Sequence, residues 1–402
     1  MDNLKHLSPF GKYNGNEIFY LEKVLNTEDT LDNERNPSVS LFEADFCKLT
    51  GAKYAIALNS ATSALHAALI AAGVGPGDEV IQPSITVVMN SFVTIISGAT
   101  PVFCEVNKDT WNIDAEEIEK LITPKTKAIM PVSLFGLPVD LDPIMELANK
   151  HNLIVIDDSA ETLCGIYKNK WAGIKAHMSI YSFENKKHMT SGSEGGMLIT
   201  MNPDLATKVR KFAGLGYKNL TATAGRTSLA SSEFQRPSYE RHDFIGLNYR
   251  MNAITAAVGI AQLERINHLV QRRICIGNMF LSVINNRNWL IPQKVPSEMN
   301  HTYYTFGVRY LGEKYFGISW EDFYQMYKAK GGDGFYAAWV NPYLEPALKG
   351  SKFSNQNCIN GLCPVAETYQ KQIMLFKTNY RDLGDARKNV EILSELINEV
   401  EK

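Results

Sequence analysis

Short apolar runs alternate with longer helical patterns through the first half of this chain. Leu41, Phe42, Phe46 and Leu49 recur at helical spacing, and Gly51 follows as a stop. An apolar strand is predicted over Tyr54–Leu58, then a helix from Thr62 to Ala72 that Gly73 ends. Further strands are predicted at Glu79–Ile81, Pro101–Phe103 and Ala128–Val132. A helix from Ile144 to Lys150 leads into a strand at Leu153–Ile156, and Met178–Phe183 and Gly196–Thr200 extend the same sheet. These strands are apolar throughout rather than at alternate positions, as befits a mostly parallel α/β sheet covered on both faces.

Elsewhere the pattern changes. The first forty residues read as polar and irregular, and Gly, Ser, Thr, Tyr and Arg fill residues 214–245, a long loop. One long amphipathic helix is expected from Ala253 to Ile284, with the domain change near its start. That gives a large domain over 1–252 and a smaller α+β domain over 253–402, with a strand at Tyr303–Tyr310 and a last helix from Asp385 to Val400. A length of 402 residues suits two domains.

Composition narrows the function. With 45% hydrophobic and 21% charged residues the chain reads as soluble and globular. A net charge of -2, with Lys and Arg spread along the sequence, argues against a nucleic-acid partner but leaves room for a basic pocket for one nucleotide. The six cysteines form no Cys-x-x-Cys pair, so buried, reduced thiols are expected and no metal site. No apolar h-region opens the chain and no run approaches membrane-spanning length, so a cytoplasmic protein without a membrane partner is expected.

Three short stretches carry chemistry. Asn59–Leu65 joins a strand to a helix with small hydroxylated residues, which serve either as a phosphate cradle or as a plain N-cap. Asp158, at the end of an apolar strand, either caps a turn or presents a buried acid. Lys187 stands five residues after Ser182, before a Gly195-Gly196 turn, and is either a solvated base or a nucleophile. Taken together, an acid at one strand end and a lysine beyond the next suit pyridoxal phosphate. The lysine holds the aldehyde as a Schiff base while the acid keeps the pyridine nitrogen protonated.

In that order and spacing the sequence resembles the DegT/DnrJ/EryC1/StrS family of PLP-dependent sugar aminotransferases. The matching segments are Gly75–Ile81, Gly98–Phe103, Thr123–Ile129, Asp157–Glu161, Glu194–Gly196, Asn248–Met251 and Cys363–Glu367. The resemblance implies fold type I, with a mostly parallel seven-stranded sheet in the large domain. It implies Lys187 as the Schiff-base lysine, Asp158 as partner of the pyridinium nitrogen, and Thr62, Ser63 and Ser182 as ligands of the cofactor phosphate. Asn248 would reach the cofactor of a neighbouring subunit, in a homodimer with shared active sites. Glu161 would lie by the cofactor ring. Members resembling perosamine synthases often carry Glu there, which points to a nucleotide-linked 4-keto-6-deoxy hexose as acceptor and an amino acid, glutamate, as donor.

Three departures from the family stand out. Val87 occupies the place where an aromatic ring usually covers the cofactor, so an apolar contact must replace stacking. Ser193 is an extra residue in the turn after Lys187. The segment 217–241 is long, and its Arg226, Arg236 and Arg241 are either diphosphate ligands or solvated; with 333–339 it is where specificity is expected. Two rival functions remain. A sugar 3-dehydratase carries histidine at the fifth position after the serine, but counting from Ser182 puts Lys187 there and His188 one beyond. The other rival is a PLP-binding regulatory protein without turnover.

Overall fold

The computed structural model describes residues 11–28, 36–225, 231–348, 353–354, 356 and 358–402. Two helices come first, α1 (Glu17–Asn26) and α2 (Ser38–Thr50). They are followed by β1 (Tyr54–Leu58), α3 (Ala61–Ala71), β2 (Glu79–Pro83), α4 (Met89–Ile96), β3 (Thr100–Cys104), α5 (Ala115–Leu121) and β4 (Thr126–Ile129). Next come α6 (Leu141–His151), β5 (Ile154–Asp158), a small hairpin of β6 (Ile166–Tyr167) and β7 (Lys170–Trp171), then β8 (Met178–Ser182) and β9 (Gly196–Thr200). The main sheet has seven strands in the order β1-β9-β8-β5-β4-β2-β3, and β9 alone runs against its neighbours.

Both faces of this sheet are covered, which explains the unbroken apolar strands. Val80, Ile156, Ile180 and Leu198 pack under Ala64, Ala68 and Leu69 of α3. Their chain neighbours Ile81 and Val155 face the other way, onto Ile118 of α5 and Ile144 of α6. Tyr181, Met197 and Ile199 meet Phe42 and Phe46 of α2.

Downstream lie α7 (Pro203–Ala213), α8 (Ser231–Phe234), α9 (Ala253–Leu263) and α10 (Ile266–Ile284). Then follow β10 (Leu290–Pro292), β11 (Thr305–Tyr310), α11 (Gly312–Phe316), α12 (Trp320–Ala329), β12 (Tyr336–Ala337), α13 (Pro364–Gln372), β13 (Ile373–Lys377) and α14 (Leu383–Val400). A second, antiparallel sheet of order β10-β11-β13-β12 holds its own core, where Phe306 and Phe376 pack on Phe280 of α10, Tyr327 of α12 and Leu393 of α14. The fold is therefore the α/β arrangement expected, a mostly parallel seven-stranded sheet with a smaller second sheet. No described helix is long and apolar enough to cross a membrane.

Two expectations need correction. The first forty residues are not irregular throughout, since α1 lies there and buries Val24 against Ala253 and Ala257. The helix expected over 253–284 is two helices, because Arg265 leaves helical geometry at φ -110°, ψ 9°. Tertiary bonds from the N-terminal segment impose that break. Tyr20 Oη and Asn16 Nδ2 donate to Glu264 at 2.5 and 2.8 Å, and Arg265 donates to the Lys12 carbonyl at 3.0 Å. The long loop carries α8 and is pinned by bridges Gly214↔Asn248 and Tyr217↔His242.

Candidate active site

β5 and β8 are parallel neighbours, so Asp158 and Ser182 emerge at the same edge of the sheet, where ligands of open α/β sheets bind. β9 returns antiparallel and brings Gly196 back to that edge, paired with Ser182. A cavity of about 260 Å³ opens there, lined among others by Thr62, Val87, Asp158, Glu161, Ser182 and Lys187. Six of the sequence-predicted residues thus share one cavity.

Gly196 is needed for this meeting. A Cβ on it would stand 2.5 Å from the amide nitrogen of Ala61, at the start of α3. The strand therefore presses against a helix N-terminus whose Ser60 side chain caps the Ser63 N–H at 3.1 Å. First-turn N–H groups have no partner within their helix and favour an anion. Gly196→Ala should cost about 1–3 kcal/mol in denaturant unfolding and weaken cofactor retention; an unchanged unfolding midpoint would contradict this tight approach.

Ser63 itself bonds Ser60 Oγ at 2.9 Å rather than lining the cavity. Asn248 is exposed and lies outside the cavity of its own chain, its side-chain oxygen accepting from Arg250 at 3.2 Å. Val87 supplies the apolar wall. Ser193 is absorbed by a left-handed turn, at φ 109°, beside Gly192 at φ 89°. Arg241 spends its guanidinium on the carbonyls of Phe234 and Tyr239, and Arg226 lies outside the described residues.

The charged groups are coupled. Lys187 Nζ is 3.4 Å from Glu161 Oε1 and 4.2 Å from the centre of the Tyr304 ring. Burial works against the charge on Lys187, but the Glu161 carboxylate, with Tyr304 and Asp158, outweighs it and holds the amine above its ordinary pKa. Burial pushes Glu161 up, against the pull of Lys187, while the Phe135 N–H fixes its second oxygen at 3.0 Å. Asp158 is also raised by burial, and opposed by Asn90 Nδ2, which donates to Oδ2 at 3.0 Å, and by the Ala160 N–H at 3.1 Å.

Sequence reasoning missed several of these partners. Asn90 is oriented by Thr86 Oγ1, which donates to its side-chain oxygen at 3.1 Å, and nothing local marks it out. Arg273 was more legible, because it stands where the apolar stripe Ile266, Val270, Ile276, Phe280 expects a core residue. Its guanidinium donates to the carbonyls of Lys186 and Lys187 at 2.6 and 2.8 Å and so holds the lysine turn. His188 is buried, with Nε2 bonded to the Thr302 carbonyl at 3.0 Å.

Asp157, beside Asp158, faces away from this chemistry. It is wholly buried, and burial pushes it up to about 7 against the hydroxyls of Ser159 and Ser133. The folded chain then keeps a proton that the unfolded chain has released. Stability from this group is full at acid pH and is lost as pH rises through about 7. Asp157→Asn should flatten that fall, by up to ~1.4 kcal/mol per pH unit. Urea unfolding across pH 5 to 8 reads it, and an identical slope in the variant would reject the assignment.

Comparison with known proteins agrees with this geometry. Residues 14–376 match the model of the DegT/DnrJ/EryC1/StrS aminotransferase family. The chain is 39% identical over 303 residues to the GDP-perosamine synthase of Caulobacter vibrioides, covering 75% of this chain and 76% of that protein. It is 35% identical over 294 residues to the GDP-perosamine synthase of Escherichia coli O157:H7, covering 73% and 75%. Among solved structures, the aminotransferase from Psychrobacter cryohalolentis superposes with a TM-score of 0.84 at 28% identity, covering 96% of this chain and 97% of that one. With a match this long, over the stretches that build the cavity, the chain belongs to the DegT/DnrJ/EryC1/StrS aminotransferase family.

Proposed function

We propose that the protein is a pyridoxal-phosphate-dependent aminotransferase that moves an amino group from glutamate to a GDP-linked 4-keto-6-deoxy hexose. The observation that carries this reading is a single cavity holding Lys187, Asp158 and the α3 N-terminus together. These residues fit the cofactor: an amine for its aldehyde, a carboxylate for its ring nitrogen, and helix N–H groups with Ser182 for its phosphate. When bound, the cofactor supplies an aldehyde that carries the amino group and a conjugated ring that takes up the electron pair of a carbon losing its proton.

The chain's own residues do the rest. Asp158, as a carboxylate, holds a proton on the ring nitrogen. Lys187 Nζ, when neutral, moves a proton from the donor's α-carbon, with Glu161 as the neighbouring acceptor of its own excess proton. Lysine rather than histidine at the fifth position after Ser182 favours amino transfer over dehydration. The two GDP-perosamine synthases among its relatives support a GDP-linked sugar. Incubating the protein with glutamate and GDP-, UDP- and dTDP-linked ketosugars should yield 2-oxoglutarate with the GDP sugar above all. No keto acid with any of them would sink the reading.

A homodimer belongs to the same proposal. Asn248 lies outside its own cavity, and Ile245 and Leu247 nearby are 91% and 43% exposed. Mixing Lys187→Ala chains with Asn248→Ala chains should restore activity toward a quarter of wild type, through hybrid dimers with one intact site. No restoration would argue that each chain works alone. The six cysteines, all free, suit a reducing compartment such as the cytoplasm.

A further inference from the structure

A second cavity, of about 290 Å³, shares Lys187 with the first and otherwise has a separate lining. Its walls come from four distant stretches: Gly11-Lys12, Asn185–His188, the first turns of α10 and Thr378–Arg381. Lys12, Lys186, Arg265, Arg272, Arg273 and Arg381 line it, with two histidines and no carboxylate among the described residues. In a chain of net charge -2 such a wall is not an average sample of the surface.

Several of these cations donate to neutral oxygens. Lys12 Nζ donates to the Asn185 side chain at 2.8 Å, Arg265 to the Lys12 carbonyl at 3.0 Å, and Arg273 to the carbonyls of the lysine turn. The ion pairs among the described residues leave out Lys12, Lys186, Arg265 and Arg381. Arg265 Nε is buried with no acceptor among the described residues. Burial and the positive charge of Arg273 pull the Lys12 amine down to about 8, with Glu184 opposing. Like charges gathered in a partly dry cavity repel one another unless a counter-anion joins them. Guanidinium forks with a lysine suit the oxygens of a phosphate group.

We propose that this cavity binds a phosphate-bearing anion, held by Lys12, Arg265 and Arg381. The source is either a free anion or the diphosphate of a nucleotide. The proposal does not depend on the substrate named above, because binding an inorganic anion needs no turnover.

Calorimetric titration of the cofactor-loaded protein with pyrophosphate, at fixed ionic strength, tests it. The double variant Lys12→Gln, Arg381→Gln keeps the backbone carbonyl of Lys12, and both side chains reach the surface, so its melting should match wild type. Wild type should bind pyrophosphate saturably, and the variant about tenfold or more weakly, as expected for lost charge-assisted bonds. A parallel loss for GDP assigns the nucleotide's diphosphate, and a loss for pyrophosphate alone assigns a free anion. No saturable binding by wild type, or equal binding by the variant, overturns the proposal.

Discussion

Replacing Lys187 with alanine should abolish the absorption band of the cofactor's Schiff base with the lysine and lower amino transfer by ~10³-fold or more. Lys187 is the one amine lining the cavity among the described residues, so no neighbour can replace it there. The side chain is 13% exposed and its removal leaves space for a small amine, so added methylamine should restore part of the activity. The fold should persist. Glu161 loses its partner, but burial already pushes its carboxyl up, and it keeps the Phe135 N–H, so it can stay neutral rather than charged and alone. Lys187→Arg separates the two roles of the residue. It keeps a positive charge for Glu161 but cannot give up its proton at working pH, so it should be as inactive as the alanine variant while melting closer to wild type. Full turnover in either variant would end the aminotransferase reading.

Much of this site was legible because its residues lie at strand ends. Asp158 and Ser182 end apolar runs and Gly196 opens one, as a doubly covered, mostly parallel sheet explains, and that sheet brings these strand ends to one edge. Thr62 and Val87 came with the family resemblance. What stayed hidden depends on long-range contact. The break at Arg265 has no proline or glycine to announce it, and it follows from bonds to Lys12, Asn16 and Tyr20, some 250 residues away along the chain. Ser63 looked like a phosphate ligand, but a hydroxyl next to a capping serine can bond that serine instead. The basic cavity beside the lysine turn was equally hidden. Its cations are scattered from Lys12 to Arg381, and only the fold collects them.

Asp158→Asn should retain the cofactor and keep its place in the cavity, yet lower kcat by about 10²–10³-fold, the usual cost of losing one preorganised electrostatic partner. The amide cannot hold a proton on the ring nitrogen by charge, so the loss should fall on kcat more than on KM for the donor. Asn90 then offers a finer test, because it does not line the cavity and bonds the Asp158 carboxylate, its amide otherwise meeting the Met130 sulfur at 3.2 Å. Its N–H bond favours the ionised carboxylate, against the burial that raises it. Without that bond the Asp158 pKa rises further, so the acid limb of the kcat profile in Asn90→Ala should move to higher pH. Thr86→Val, which leaves the amide in place but removes the hydroxyl that orients it, should move the limb in the same direction by less. A uniform fall in kcat with an unmoved limb would make Asn90 a packing residue only. Wild-type turnover in Asp158→Asn would remove the carboxylate from the chemistry altogether.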